Sequence, residues 1–145
     1  KRMRISGMEK FNKPAYIASV NFYRSEDDLI KNKTLGALIL YIAEDYVDEF
    51  FQLMQYPNIN SENPEELSDA CGTFCNIVAG RFKSEIIRMG FQELQMSHFS
   101  SYRNEVPEGI DFDSQEKNKY EIDFEINHVK RLVVELTMGP LIKVK

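Results

Sequence analysis

An asparagine between two glycines is the feature of the sequence that points most directly to chemistry. Asn76 stands four residues after Gly72 and four residues before Gly80, inside a segment predicted to be helical. Its short amide carries both a hydrogen-bond donor and an acceptor, so it can orient a water molecule. Each glycine costs about 1 kcal/mol relative to alanine inside a helix. Both glycines therefore need a compensating reason for their presence.

Further polar side chains share this side of the predicted helix. A projection at 100° per residue places Asp69, Thr73 and Lys83 within about 60° of Asn76, together with both glycines. The apolar side chains fall on the opposite side and are expected to pack on a sheet: Leu67, Cys71, Phe74, Val78 and Phe82. Spacing alone leaves two explanations open, because either another part of the chain or a partner can approach the glycines. An ordinary solvated asparagine is also consistent with the pattern.

The two cysteines of the chain, Cys71 and Cys75, allow three interpretations. Their spacing places the thiols side by side on one face of the helix. A zinc site needs two further ligands, and the histidines His98 and His128 have no ligand-like spacing. A redox pair lacks the usual two-residue spacer. Burial of both thiols as small apolar groups is the favoured interpretation, and we expect no metal site and no cofactor.

The helix that carries these residues has recognisable start and stop signals. Asn63 is predicted to be the N-cap, followed by Pro64 at the first helical position and by two acidic residues. Gly90 can adopt the left-handed conformation that ends a helix. A long helix from residue 64 to about residue 89 follows, with a length on the order of 39 Å. A shorter helix is predicted over residues 45–55, ending before Pro57.

Strands are predicted on both sides of these helices. Residues 35–43 are almost continuously apolar, which is typical of a strand covered on both faces. Residues 120–126 alternate apolar with acidic side chains, which predicts one buried and one solvated face. The remaining predicted strands are residues 15–23, 92–99 and 132–138. The two predicted helices follow one another between two groups of strands, which indicates an α+β fold. We expect an antiparallel sheet with one short and one long helix packed on one face.

Composition limits the classes of partner. The chain has 145 residues, 43% of them hydrophobic, which suits a single domain with one core. A net charge of -5 argues against nucleic acid as a partner. No long apolar run or leading signal segment appears, so we expect a cytoplasmic protein without membrane contact. Because the first residue is Lys1 rather than Met, we also expect either the remnant of a tag or a longer parent chain whose N-terminal part is absent.

The segment from Gly72 to Arg81, with Asn76 followed by apolar residues and Gly80, resembles the helix motif of the CheX/CheC chemotaxis phosphatases. The order of predicted elements over residues 15–138 is similar to the CheX fold. The resemblance implies a phosphorylated CheY-type receiver domain as the partner, with Asn76 orienting the water that hydrolyses its aspartyl phosphate. It implies that Gly72, Gly80 and Lys83 serve docking, and that the receiver supplies its own Mg²⁺.

The sequence departs from the family pattern three residues before the asparagine. The family has a glutamate there and this chain has Thr73, whose hydroxyl cannot supply a charge to a receiver lysine. Asp69, one turn earlier, is the candidate to replace that ionic contact. Two hypotheses follow: a divergent phosphatase that uses Asn76, Thr73 and Asp69, or a docking and dimerisation module that has lost the chemistry. The resemblance also implies a homodimer formed through sheet edges.

Overall fold

Six strands form one antiparallel sheet in the computed structural model of the chain. The structure describes residue 11 and residues 13–55, 62–103 and 118–144. Most of the two predicted loops, residues 56–63 and 104–118, lies outside the described residues. The strands are β1 (Ala15–Tyr23), β2 (Gly36–Ala43), β3 (Gln95–Met96), β4 (Ser100–Arg103), β5 (Asn118–Ile126) and β6 (Val129–Met138). Their spatial order is β3-β1-β2-β6-β5, and β4 pairs with the same edge of β1 as β3 does.

Three helices accompany the sheet in the described residues: α1 (Glu26–Ile30), α2 (Val47–Leu53) and α3 (Pro64–Arg88). The predicted N-cap of α3 is confirmed, because Oδ1 of Asn63 accepts a hydrogen bond from the backbone N–H of Glu65 at 3.0 Å. Gly90 follows the helix with φ 96°, the left-handed conformation expected of it. The polar connection before β2 contains α1, which the sequence did not predict. Ser25 caps α1 by accepting from the backbone N–H of Asp28.

The core lies between α3 and the central strands. All eight residues of β2 are buried, as the continuous apolar run predicted. Helix α3 packs on β1, β2 and β4, with the rings of Phe22 and Phe82 5.5 Å apart. Helix α2 joins the same layer, because the rings of Phe50 and Phe74 lie 5.2 Å apart. The predicted α+β architecture, an antiparallel sheet with a short and a long helix on one face, is confirmed.

The strand predicted over residues 92–99 is confirmed in place but not in length, because only the two-residue β3 forms there before the chain leaves the sheet. Ser97 explains the interruption. Its Oγ accepts a hydrogen bond from the backbone N–H of Asn21, while its own N–H donates to the Asn21 carbonyl, both at 2.9 Å. A serine hydroxyl that bonds to the backbone in this way competes with the regular ladder. His98 consequently lies between strands rather than in one.

The hairpin β5–β6 also differs from expectation. Its turn has only two residues, Asn127 and His128, with φ 54° and 66°, so β6 begins at Val129 rather than at residue 132. Such a pair of left-handed residues is the mark of a type I′ turn. The prediction that one face of β5 is buried is wrong, because all nine residues of this strand are exposed. Helix α3 lies over the other half of the sheet and does not reach this edge.

Candidate functional site

The outer face of α3 presents Asn76 to solvent. Seven residues of the helix are buried: Leu67, Ala70, Cys71, Gly72, Cys75, Ala79 and Ile86. Their arc is centred about 110° from Asn76 rather than directly opposite it. Phe74 projects to one margin of the packed face, and it is only partly buried, as are Val78 and Phe82. This rotation keeps Asn76 exposed but brings Gly72 into the interior.

Gly72 is not an open gap for a partner. The side chain of Phe99 occupies the space that a Cβ at Gly72 would take. Phe99 follows the point where the chain leaves the sheet after β3, and its ring packs over the helix there. The assignment of Gly72 to partner docking is corrected accordingly, because a contact within the chain accounts for this glycine.

Gly80 is open. A Cβ built on it would meet no heavy atom of the described residues within 4 Å, so none of these residues requires a glycine there for packing. Gly80 lies one turn after Asn76 on the same side of the helix, with roughly 6 Å between neighbouring positions of this spacing. The two glycines therefore differ. Phe99 fills the space beside Gly72, whereas no described residue fills the space beside Gly80, next to the exposed amide of Asn76.

The other predicted site residues lie on the same helix at different positions along its axis. Thr73 is half-buried and about 4.5 Å from Asn76 along the helix axis, one turn before it. Asp69 is exposed but about 10 Å away along the axis, and half-buried Lys83 is equally far in the other direction. The structure therefore brings Thr73, Asn76 and Gly80 together, while Asp69 and Lys83 flank this group by two turns each.

One exposed residue near the site was missed in the sequence. Ile77 follows Asn76 directly, and 53% of its surface is exposed. It lies one turn before Gly80 and one turn after Thr73, on the solvent side of the helix. The apolar periodicity contained the signal, since residue 77 projects about 100° from Asn76 and falls outside the expected packing face. An exposed isoleucine beside an open glycine gives the site an apolar contact surface.

The two cysteines are buried and are free thiols, which confirms their interpretation as small apolar groups. Burial raises the pKa of Cys75 to about 12, and burial together with the neighbouring Cys75 raises the pKa of Cys71 further. Thiols held neutral in this way are poor nucleophiles and poor metal ligands. Among the described residues, no group of three or more His, Cys, Asp or Glu side chains is placed to hold a metal ion.

No described helix combines the length and apolar character that a membrane crossing requires.

No family model matches the sequence, and no curated protein matches it. Solved structures do. A CheC-like superfamily protein from a Shewanella species superposes with a TM-score of 0.65 at 16% identity, over 97% of this chain and 82% of that one. The chemotaxis protein CheX from Vibrio vulnificus gives 0.62 at 17% identity, over 86% and 80% of the two chains.

A chemotaxis protein CheX from Desulfovibrio desulfuricans gives a TM-score of 0.62 at 16% identity, over 96% of this chain and 83% of that one. These likenesses cover between 86% and 97% of this chain. The resemblance predicted from the helix segment and the order of elements is thus confirmed in three dimensions. The chain has the α+β fold of the CheC-like and CheX chemotaxis proteins.

Proposed function

We propose that this domain binds a phosphorylated receiver domain of the CheY type and accelerates loss of its aspartyl phosphate, with Asn76 orienting the attacking water. One observation carries the proposal: on a fold shared with chemotaxis proteins, the exposed amide of Asn76 stands beside open space at Gly80. The proposal places the domain in the cytoplasm, in chemotaxis or related two-component signalling.

The helix suits a positioning role. Its inner face is fixed by buried side chains and by the ring contact between Phe22 and Phe82, so the backbone at Asn76 is held rigidly. Asparagine has few rotatable bonds, so little conformational freedom is lost when its amide holds a water molecule. The missing side chain at Gly80 lets a partner loop approach the helix backbone, and Ile77 offers that loop an apolar contact.

The chemical step requires little else from this chain. The oxygen of the oriented water bonds to phosphorus as the bond from phosphorus to the aspartyl oxygen breaks. Inorganic phosphate leaves and the receiver recovers a free carboxylate, while the proton of the water passes to the departing phosphate. Positioning of the water is the contribution of Asn76. A Mg²⁺ ion held by the receiver would balance the phosphate charge, and Asp69 would supply the ionic contact to a receiver lysine that Thr73 cannot supply.

The test compares phosphate loss from a phosphorylated receiver of the same organism with and without the domain. Asn76→Ala should remove the acceleration, by about a hundredfold if the water is misplaced. Ser84→Ala is a matched control, because Ser84 is an exposed polar residue two turns further along the same helix. Equal acceleration by the Asn76→Ala protein and the parent protein would refute the phosphatase proposal.

The alternative is a docking module without catalysis, and Thr73 is the observation that favours it. Binding to the receiver, free and loaded with the phosphate mimic beryllofluoride, separates the two functions. The module predicts binding in at least one state with no change in the lifetime of the phosphate. The phosphatase predicts tighter binding of the loaded receiver together with a shorter lifetime. Absence of binding in both states would contradict both functions.

A further inference from the structure

Two positively charged residues follow Gly80 on α3. Arg81 is exposed and Lys83 is half-buried. Among the residues that the structure describes, neither side chain forms an ion pair. Glu85 lies within the electrostatic influence of Arg81, but its Oε2 accepts hydrogen bonds from Nε and Nη2 of Arg88, at 2.9 and 2.6 Å. Arg81 and Lys83 therefore keep their charged groups available for a partner.

Arg81 and Lys83 lie on opposite sides of Gly80 around the helix axis. At 100° per residue, Arg81 projects about 100° from Gly80 in one direction and Lys83 about 60° in the other. The Cα–Cβ bonds of a helix tilt toward its N-terminus, so both side chains start back toward the turn that precedes them. Their flexible stems allow the two charged groups to reach the space above Gly80. This space lies one turn after Asn76, about 6 Å from its Cβ.

The missing side chain at Gly80 is a second, independent observation at this place. Glycine weakens a helix relative to alanine, and no described residue comes close enough to require a glycine here for packing. A methyl group would project into the space that Asn76, Arg81 and Lys83 border. We call this space the anion seat. A ligand that enters the anion seat gives the glycine a role that packing within the described chain does not give it.

The three side chains that border the anion seat suit a phosphoryl group. A guanidinium group offers a planar fork of donors that binds two phosphate oxygens at once, and an ammonium group adds a compact charge. The amide of Asn76 adds a neutral donor and an acceptor. A phosphoryl group on a protein side chain carries roughly two negative charges near neutral pH, which two cations balance. The anion seat therefore matches a phosphoryl group better than it matches a single carboxylate.

The acidic residues in the first half of α3 do not oppose an anion at this place. Glu65, Glu66 and Asp69 are exposed there. Asp69 is the nearest of them to Gly80, at a distance of about 16 Å along the helix axis. This distance exceeds the screening length of about 8 Å at physiological ionic strength. The net charge of -5 of the whole chain is therefore compatible with a locally positive surface.

We propose that Arg81 and Lys83 hold the phosphoryl group of the phosphorylated receiver over Gly80 and so select this receiver over the free one. The turn of helix between Asn76 and Gly80 leaves room for the attacking water between the amide and the phosphorus atom. The inference deepens the proposed function and rests on it for the identity of the partner. The capacity of the anion seat to hold phosphate does not depend on catalysis.

The first test titrates the domain alone with inorganic phosphate at constant ionic strength and follows the backbone amide signals by NMR. The signals of Gly80 and Arg81 should shift and reach saturation. The double variant Arg81→Gln/Lys83→Gln should bind phosphate at least about tenfold more weakly, because it loses two charge-assisted contacts. No saturable shift in the parent protein, or equal binding by the double variant, would overturn the anion seat whether or not a receiver binds.

Two further variants control this titration. Lys31→Gln/Lys33→Gln removes the same number of charges from two exposed lysines that follow α1, so it should bind phosphate like the parent protein. Gly80→Ala should bind phosphate more weakly, because its methyl group enters the anion seat. Glutamine and alanine are good helix formers, so circular dichroism should show each α3 variant folded. Unchanged binding by Gly80→Ala, or an equal loss in the lysine control, would overturn the assignment.

The second test identifies the source of the phosphoryl group. Isothermal titration calorimetry compares binding of the free receiver and of the receiver loaded with beryllofluoride. Arg81→Gln/Lys83→Gln should lower the affinity for the loaded receiver at least about tenfold and leave the affinity for the free receiver unchanged. An equal loss for both forms, or no loss for either, would overturn the selection of the phosphorylated receiver.

The two tests separate a failure of this inference from a failure of the proposed function. If the parent protein binds no receiver or leaves the lifetime of its phosphate unchanged, the proposed phosphatase fails, and the phosphate titration still decides the anion seat. If the phosphatase is confirmed but Arg81→Gln/Lys83→Gln retains full preference for the loaded receiver, Asn76 acts without the two cations and the present inference is refuted.

Discussion

Two glycines of the same helix, spaced alike from Asn76, have different roles. At Gly72 the side chain of Phe99 fills the space beside the backbone, and at Gly80 none of the residues that the structure describes enters that space. Residue type and spacing are symmetrical about Asn76, so the sequence contains no sign of the difference. The position of Phe99 decides it, and this position follows from the way the chain leaves the sheet after β3.

The two glycines predict opposite effects of the same substitution. Gly80→Ala should raise the free energy of unfolding by about 1 kcal/mol, because alanine is the better helix former and meets no neighbour. Gly72→Ala should lower it despite the same gain in propensity, because Phe99 must move away. Thermal and urea unfolding measure both. In a Phe99→Ala background Gly72→Ala should become stabilising, and persistent destabilisation there would refute the contact.

Thr73 is the position at which a substitution should strengthen the proposed catalysis. It is half-buried one turn before Asn76, where the resemblance places a glutamate. Thr73→Glu should shorten the lifetime of the receiver phosphate, because a carboxylate adds a charge-assisted contact to a receiver lysine. A gain of about tenfold corresponds to 1.4 kcal/mol. Thr73→Gln is the uncharged control, and an equal gain from both variants would exclude the ionic explanation.

At the scale of elements, α3 and the hairpin are fixed by different local signals. The N-cap Asn63 and Gly90 define the limits of α3 in the sequence itself. The turn of the hairpin is less obvious, because His128 adopts φ 66° without being glycine. A left-handed residue with a side chain costs about 1 kcal/mol, and histidine tolerates this conformation better than β-branched residues do. The tight turn keeps β5 and β6 in register and so places their apolar side chains together on one face of the hairpin.

The strained turn gives a prediction for stability. His128→Gly should raise the melting temperature by about 3 °C, because glycine adopts the left-handed conformation without a steric cost. Asn127→Gly should have a smaller effect, since asparagine is already favoured at the first position of this turn. Differential scanning calorimetry compares the two variants with the parent protein. A larger effect at residue 127 than at residue 128 would contradict the explanation.

At the scale of the whole molecule, the packing of α3 on the sheet excludes water from the two thiols. Cys75 donates a weak hydrogen bond from Sγ to the carbonyl of Leu38 at 3.9 Å, and Cys71 is equally buried. Because a buried thiolate lacks solvation, the pKa of each thiol lies above its ordinary value of 9.0. The unfolded chain then releases these protons at a lower pH than the folded one.

Stability should therefore fall as the pH rises above about 9, since the unfolded state binds fewer protons there than the native state. Each thiol contributes a slope of up to about 1.4 kcal/mol per pH unit until the pH reaches its pKa in the folded protein. Urea unfolding between pH 8 and pH 11 measures the slope. Tyr16, whose pKa is also raised chiefly by burial, acts in the same direction.

The double variant Cys71→Ala/Cys75→Ala provides the control for the alkaline effect. It retains Tyr16 and lacks both thiols, so its stability should decline less steeply over the same range of pH. Its absolute stability is expected to be lower because two packed sulfur atoms are lost, and the comparison therefore rests on the slopes. Equal slopes for the variant and the parent protein would show that the thiols do not account for the dependence.

The sequence by itself determined the features that depend on local chemistry. The N-cap at Asn63, the end of α3 at Gly90 and the continuously apolar β2 were all predictable, because capping and burial on both faces leave signals in neighbouring residues. The helix segment around Asn76, taken with the order of elements, also indicated the fold that the solved chemotaxis proteins share.

Only the tertiary structure decided which surfaces remain uncovered. Alternation in β5 indicated an apolar face but not whether anything packs on it, and α3 lies over β1 and β2 instead. The arc of α3 that is buried, and hence the filling of Gly72 and the exposure of Ile77, likewise depends on where the sheet and Phe99 lie. Periodicity shows whether one face of a helix or strand is hydrophobic. Whether that face is buried depends on residues distant in the sequence, and a local pattern does not record them.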